Sequence, residues 1–581
     1  MFFKNNLFPI FLLAIISLLL IFFQLGTPSL WQGDEGIYAE IAREMLESGD
    51  LITPHYNYVP RFDKPPLYFW LTALIYPFFG FASFAVRFWP AIFGLATVFL
   101  VFFLGKKIWN SKVGLCSALI FLTSFQNVVQ SRVAVMDTML TFWFLLSIYL
   151  FLHWYDSKKW CYFYYAAIAM GFATLTKGPI GFLFPGLVLV ISLIVRKELN
   201  LLFNKRIILA ILIFFIVTLP WYIAVYMANG MSFISDFFCY QNIARYTKAI
   251  EQHGAPWYFY FLVVLFGFFP WVTFLLFPII ELIKKTIFLI RGNSKTKEYP
   301  FAILFLAIWT FFVFIFFSFS QSKLPGYVFP IFPVLSLFVG RSFLSMFYFE
   351  GKDFKFSSPR TKSLFRISII LFLIFLGIFL AVFFISFVTN PPSETPFDVA
   401  ILWPLIWIFA IALVLIFILF FLKPFWCFYV MLVMSFAFWS VIIVSVLPKL
   451  EVYKSVNLAS KYARDLGLAD SKIGVFGTID ARHIFYSQRK IDKIKNIDDL
   501  LKYLQNKNNY VILERSKYLD LISSNQIEFR HQANQRGVSD IQRQGILKKE
   551  MTEIQFEKGT NKNDFTLIYL KGDYAIIKNK L

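Results

Sequence analysis

The sequence predicts a polytopic α-helical membrane protein that ends in a small soluble α/β domain. Three observations carry that prediction. Hydrophobic residues make up 59% of the chain and aromatics 21%, with 77 Phe and a mean hydropathy of +0.66, well above the roughly half-apolar composition of soluble domains. Apolar runs of about bilayer length recur from residue 7 to residue 447. From Pro448 onward the composition turns to Lys, Asn, Asp and Gln, with only short apolar runs.

In chain order, the apolar runs lie near 7–25, 84–104, 113–131, 135–153, 160–175, 179–195, 207–227, 258–280, 300–319, 327–347, 365–388, 398–421 and 425–447, which makes about thirteen transmembrane helices. Residues 67–81 are apolar but short, and read as an interfacial or re-entrant helix in a first outer loop spanning 26–83. The first run is too long, and lacks the small-residue site, for a cleavable signal. The membrane domain is thus 1–448. In 449–581, KIGVFG (472–477), YVILE (510–514) and TLIYL (566–570) read as strands, IDDLLKYLQN (497–506) as a helix, and LKGDYAII as a hairpin turning at Gly572-Asp573. Cys116, Cys161, Cys239 and Cys427 are scattered, with no metal-site spacing and no disulfide framework.

Charge sets the orientation. With the N-terminus inside, 22 Lys and Arg fall in inner turns and nine in outer ones: Arg43, Arg61, Lys64, Arg87, Arg132, Lys177, Arg245, Lys248 and Lys323. The positive-inside rule favours that arrangement and leaves the C-terminal domain outside. Nine basic residues on the disfavoured face call for an explanation, and anionic ligands supply one. The net charge of +21 suits topology and anionic lipid. No nucleic-acid signature accompanies it, and no Walker A loop, strand-linked GxGxxG or HExxH occurs, which argues against nucleotide-driven chemistry.

The outer face collects the candidate residues. Asp34 and Glu35 follow the first span and open a helical pattern, Ile37, Tyr38, Ile41, Ala42, Met45 and Leu46, that Gly49 should stop. Then comes Arg61-Phe62-Asp63-Lys64-Pro65-Pro66, stiffened because a residue before proline avoids the helical basin. Asp137 opens the fourth span; Thr176-Lys177-Gly178-Pro179 forms an outer turn; Arg245 precedes Gln252-His253-Gly254-Ala255-Pro256-Trp257; Lys323-Leu324-Pro325-Gly326-Tyr327 leaves the ninth span. Ionisable groups at a membrane boundary are functional candidates by default. Each also has a plain structural use. Asp34 and Asp137 suit helix capping, Asp137 suits pairing with Arg132, and Lys64, Lys177 and Lys323 suit snorkelling.

The runs DE..YAEIAREM (34–45) and KPPL..W (64–70), followed in order by TKGP.G (176–181), R…QH.APWY (245–258) and KLP.Y..P (323–330), resemble the bacterial lipid A aminoarabinose transferases. Those are GT-C membrane glycosyltransferases related to the protein O-mannosyltransferases. The resemblance implies a GT-C fold with interfacial helices in the first outer loop, a multi-pass protein of the bacterial inner membrane, and an active site and C-terminal domain on the periplasmic side. It implies a sugar donor on a polyprenyl (undecaprenyl) phosphate, lipid A or another envelope glycan as acceptor, and inversion by single displacement. Position by position, Asp34, with Glu35 beside it, matches the key acid of the first loop. Lys64, Arg245 and Tyr327 match positions that hold the donor's lipid phosphate. Asp137, Lys177 and Lys323 match motif positions of less definite role, assigned here to catalysis for the first and phosphate binding for the others. Asp63 and His253 match a zinc pair, although the family usually has Glu where Asp63 stands.

Cleavage of a sugar–phosphate bond builds negative charge on the leaving phosphate, which preorganised cations would stabilise, and Arg offers a fork matched to phosphate. Asp34 would orient or deprotonate the acceptor. The expected function is transfer of a sugar such as 4-amino-4-deoxy-L-arabinose from polyprenyl phosphate, by a monomer. The alternatives are a protein O-glycosyltransferase, a lipid or solute transporter, and an envelope scaffold. A transporter would gather its charges at mid-membrane in repeats, whereas here they gather at one face.

Overall fold

The computed structural model describes residues 7–31, 33–247, 254–281, 283, 300–350, 353–389, 399–451, 455–466, 471–506, 508–514, 516–518, 565–571 and 573–579. The chain forms two compact units. The first holds residues 1–26, 50–53 and 62–447; the second holds 27–49, 54–61 and 448–581. The second unit therefore takes most of the early part of the first outer loop together with the C-terminal residues, whereas the linear reading kept 26–83 with the membrane domain.

The first unit is helical, and its length and composition make this a multi-pass membrane protein. Among the described residues, eight helices are long and apolar enough to cross a bilayer, or up to ten if each of two bent pairs is one span. The bent pairs are Ser111–Thr123 with Phe125–Arg132, turned by 64°, and Phe259–Gly267 with Trp271–Glu281, turned by 112°. Three further expected spans are helices that fall short of that standard: Pro9–Phe22 and Ile180–Arg196 are shorter, and Trp160–Lys177 is less apolar. Local chemistry places the ends. Lys106 and Lys107 sit in the last turn of Ser83–Ile108, favourable against the negative end of the helix dipole. The Asn110 side chain then accepts from the Val113 amide at 3.0 Å and caps the next helix. The 13-residue helix Leu67–Phe79 starts right after Pro66 and stops at Gly80. Phe347–Glu350 and Asp353–Phe356 pair as antiparallel strands, which the sequence reading did not include.

Aromatic packing ties these helices together. Phe144, two turns inside Asp137–Ser157, stacks on Phe184 at 5.9 Å and meets Trp309 edge-on at 5.2 Å. Three helices are thereby locked around one ring.

The second unit is built on a five-stranded sheet. Its order is Ile491–Ile494, Ile473–Phe476, Tyr510–Glu514, Tyr574–Asn579, Phe565–Lys571. The first three strands are parallel and the last two antiparallel. Ile497–Leu504 is a helix capped by Asn496, as the IDDLL pattern requires. The hairpin expected at Gly572-Asp573 has its strands paired at Lys571 and Tyr574; Gly572 itself lies outside the described residues.

Helix Asp34–Ser48 belongs to this unit. It ends at Gly49, which adopts φ 72°, the left-handed cap that glycine supplies without strain. Tyr38, Ile41, Ala42 and Met45 are buried, following the predicted stripe. The polar face departs from expectation, because Glu40, Arg43 and Glu44 are buried too. The reason is a second layer: His55–Tyr56 pairs with Val59–Pro60 across Asn57 and Tyr58, both at positive φ, the geometry of a two-residue hairpin turn. That hairpin covers the charged face. Tyr58 donates its amide to Glu44 Oε2 at 2.9 Å, and Arg43 reaches the Tyr58 hydroxyl at 3.2 Å.

Candidate active site

Charged groups within an apolar protein must find partners, and Asp137 shows how. It is the first residue of helix Asp137–Ser157, and Lys177 is the last of Trp160–Lys177. Their side chains form an ion pair with Lys177 Nζ 2.5 Å from Asp137 Oδ1. This corrects the expected pairing with Arg132 and the reading of Lys177 as a snorkelling anchor. Arg132 instead donates to the carbonyls of Leu20, Ile21, Phe23 and Gln24 at 2.9–3.3 Å, closing the end of the first helix. Tyr327, in the tight turn Pro325–Ile331, lays its ring 4.8 Å from Lys177 Nζ, a cation–π contact. Gly326 makes room for this. A Cβ there would fall 2.5 Å from Asp137 Oδ2, so only glycine admits the carboxylate.

Around this pair opens a cavity of about 490 Å³. Its charged lining is Asp63, Lys64, Asp137, Lys177 and Arg245, with Tyr327 and Asn242 beside them; its walls are apolar, including Leu140, Phe144, Leu183, Phe237 and Phe317. Lys64 enters from the segment before Pro65, with its ammonium 3.0 Å from the Asp63 carbonyl. Arg245 follows the π-helix Ile234–Ala244 and donates to Gln241 Oε1 at 2.9 Å. The turn after Phe301–Phe319 braces that segment: the Gln321 amide donates to the Tyr246 carbonyl at 3.0 Å, and Gly254 bridges to Ser322.

Of the expected phosphate-binding residues, Lys64, Lys177, Arg245 and Tyr327 line this cavity; Lys323 does not. Lys323 is buried and folds back onto the Ser320 carbonyl at 2.5 Å. It stabilises a helix end, where the carbonyls lack intrahelical donors. Gln241 and Tyr246 also line the cavity and were not singled out in the sequence, since a polar residue one turn from Arg245 carries no signal of its own.

The cavity lining comes entirely from the first unit, and Asp34 and Glu35 belong to the second. The helix cap is Gly33, so Asp34 does not take the capping role and stays exposed in the first turn. Glu35 turns inward, and its Oε2 accepts from the Trp31 amide at 2.7 Å. That bond fastens the chain entering the helix, and Asp34 is the carboxylate of the two that faces outward. In the same helix, burial together with the neighbouring Glu40 pushes the Glu44 carboxyl up to about 8. Asp63 lies on the cavity wall, but His253 falls outside the described residues, as does Lys248. Among the described residues no three His, Cys, Asp or Glu side chains converge. One carboxylate falls short of the three or four ligands that zinc takes, so no step is derived through metal.

The sequence profile of the dolichyl-phosphate-mannose-protein mannosyltransferase family matches residues 6–234. A protein from Aquifex aeolicus is 32% identical over 329 residues, covering 56% of this chain and 62% of that protein. The undecaprenyl phosphate-alpha-4-amino-4-deoxy-L-arabinose arabinosyl transferase of Wigglesworthia glossinidia brevipalpis is 31% identical over 341 residues, covering 57% of this chain and 58% of its own. The crystal structure of ArnT from Cupriavidus metallidurans bound to undecaprenyl phosphate superposes with a TM-score of 0.73 at 20% identity, covering 99% of this chain and 98% of that one.

The chain has the GT-C fold of that structure and is similar in sequence to the aminoarabinose transferases over part of their length. The sequence match spans only about six tenths of the length of these relatives (62% and 58%). The cavity cations and Asp137 are the residues that this chain brings together.

Proposed function

We propose that this protein moves a sugar, 4-amino-4-deoxy-L-arabinose, from undecaprenyl phosphate to lipid A at the periplasmic face of the bacterial inner membrane. The observation that carries the reading is the charge of the cavity. Three cations and two carboxylates converge between apolar walls, a net charge of +1. A sugar on a polyprenyl phosphate is a phosphodiester with one negative charge and a hydrocarbon tail, so charge and walls match its two parts. Breaking the bond from the anomeric carbon to phosphate oxygen leaves polyprenyl phosphate with more negative charge than the ground state. Lys64 and Arg245, on the cavity wall, would stabilise that charge, and removing one such contact costs about 10²–10³ in rate. Asp137 holds the Lys177 ammonium against the cavity.

On a lipid A phosphate the attacking oxygen is already anionic, and Asp34 would position acceptor or sugar. On a hydroxyl it would also take the proton. The match to the mannosyltransferase profile over 6–234 favours the hydroxyl as a second reading. We extend the proposal to thirteen spans with the C-terminal residues outside, and to zinc at Asp63 and His253 only as a fastener of the loop.

Purified protein in liposomes, given undecaprenyl-phosphate-linked aminoarabinose and lipid A, should yield lipid A heavier by one aminoarabinose in mass spectra. Unmodified lipid A beside a glycosylated protein or other glycan would replace the first reading with the second.

A further inference from the structure

The helix that bears Asp34 is held by residues more than four hundred positions away. Gly36 packs directly on Ala481: a Cβ at Gly36 would lie 2.8 Å from the Ala481 Cβ and 3.3 Å from the Arg482 amide nitrogen. Ala481 is itself fixed, because Asp480 caps helix Ala481–Ser487 and pairs with Arg482 at 2.8 Å. Just ahead of the helix, the Leu30 amide donates to the Tyr486 hydroxyl at 2.8 Å and the Ser29 amide to Glu451 at 2.9 Å. The hairpin that covers the charged residues is fastened to the sheet as well. Asn57 both donates to the Ile491 carbonyl and accepts from the Ile491 amide, each at 2.9 Å. Its side chain thus continues the edge strand Ile491–Ile494.

We propose that the C-terminal residues position Asp34 for transfer, with Gly36, Ala481 and Asn57 as the positioning residues. The inference rests on the reading that Asp34 acts in the reaction. Gly36 is two residues from Asp34 on a rigid helix, so a shift forced at Gly36 is passed on almost undiminished. A misplacement near 1 Å costs up to about 10²-fold in rate. Alanine is the better helix former, so a loss caused by Gly36→Ala cannot come from helix propensity.

The test uses the full chain in liposomes, with undecaprenyl-phosphate-linked aminoarabinose and lipid A, comparing Gly36→Ala, Ala481→Gly and the double variant with Asp34→Asn. Gly36→Ala should lower kcat about tenfold or more and leave the donor KM within about twofold. The double variant should recover part of the loss, since it removes the Cβ–Cβ contact and leaves the approach to the Arg482 amide, with Ala481→Gly alone as its reference. If Gly36→Ala does not fold, Asn57→Ala is read for the same split of kcat from KM. Unchanged kcat in Gly36→Ala, no recovery in the double variant, or a matching rise in donor KM overturns the proposal. Full activity in Asp34→Asn overturns the underlying reading instead; an inactive Asp34→Asn beside a normal Gly36→Ala overturns the positioning alone.

Discussion

Two regions of this molecule concentrate charge, and they use it in opposite ways. Helix Asp34–Ser48 packs Glu40, Arg43, Glu44 and Glu47 into two turns and spends them on one another. Arg43 binds Glu40 at 2.7 and 2.9 Å and Glu47 at 2.6 Å. The cavity draws its charges from positions between 63 and 245 and is left with an excess of one cation. Local charges bond to one another; converging distant ones line a cavity with a surplus cation. The same division runs through the nine basic residues assigned to the outer side. Arg43 binds carboxylates, Arg61 lies over the Tyr56 ring, and Arg87, Arg132 and Lys323 reach backbone carbonyls. Lys64, Lys177 and Arg245 line the cavity. An anionic ligand in the cavity would therefore account for three of the eight described, Lys248 lying outside the described residues.

The sharpest way to break this contrast is Asp34→Asn, which should abolish transfer, a loss of about 10²–10⁴ for a general acid–base group, with membrane expression intact; retained turnover would leave the acidic helix purely structural. Next comes Arg245→Ala against Arg132→Ala. The first should cut transfer about 10²–10³-fold and weaken undecaprenyl phosphate binding. The second should lower the melting temperature, while protein that remains folded keeps its donor affinity. Equal affinity losses in both would erase the distinction between a cavity cation and a backbone-bound one. Smaller again is the Asp137–Lys177 pair. Lys177→Met alone should destabilise by about 3 kcal/mol, by stranding a mostly buried carboxylate. Adding Asp137→Asn should return part of that stability, as a thermal double-mutant cycle can read; simple additivity would mean the two groups do not interact.

The smallest effect concerns pH in the second unit. Folded Glu44 keeps its proton up to about 8, whereas an unfolded chain releases it near 4.5, so this group makes stability fall as pH rises between those values. His483, held neutral by burial down to about 4, makes stability rise from there to 6.5. Above pH 6.5 Glu44 acts alone, and hydrogen exchange over residues 34–61 should quicken toward pH 8 beyond its intrinsic rate. Glu44→Gln should remove that trend; a trend left unchanged in the variant would assign it to another group.

What could be read from the sequence was local. The stripe from Tyr38 to Met45, the stop at Gly49 and the stiffening before Pro65 all lie within one turn of their causes. The contact of Asp137 with Lys177 joins two helix ends 40 positions apart and left no periodic trace; Arg132, only five residues from Asp137, was the nearer candidate. Lys323 looked like Lys177 in sequence, each beside a turn carrying Gly and Pro, and only the path of the backbone sends one to the cavity and the other to a carbonyl. The grip of Asn57 on Ile491 spans 434 residues and uses an amide side chain as though it were a strand.

That last span has a consequence for how the protein comes into being. Residues 34–48 leave the ribosome among the first, yet Glu451, Ala481, Tyr486 and Ile491, which seat them, are among the last. A chain interrupted between residues 451 and 480 would possess its whole set of apolar helices and still lack the seat of Gly36. Under the role proposed for Asp34, assembly of the second unit would be a final stage of manufacture that no such incomplete copy reaches.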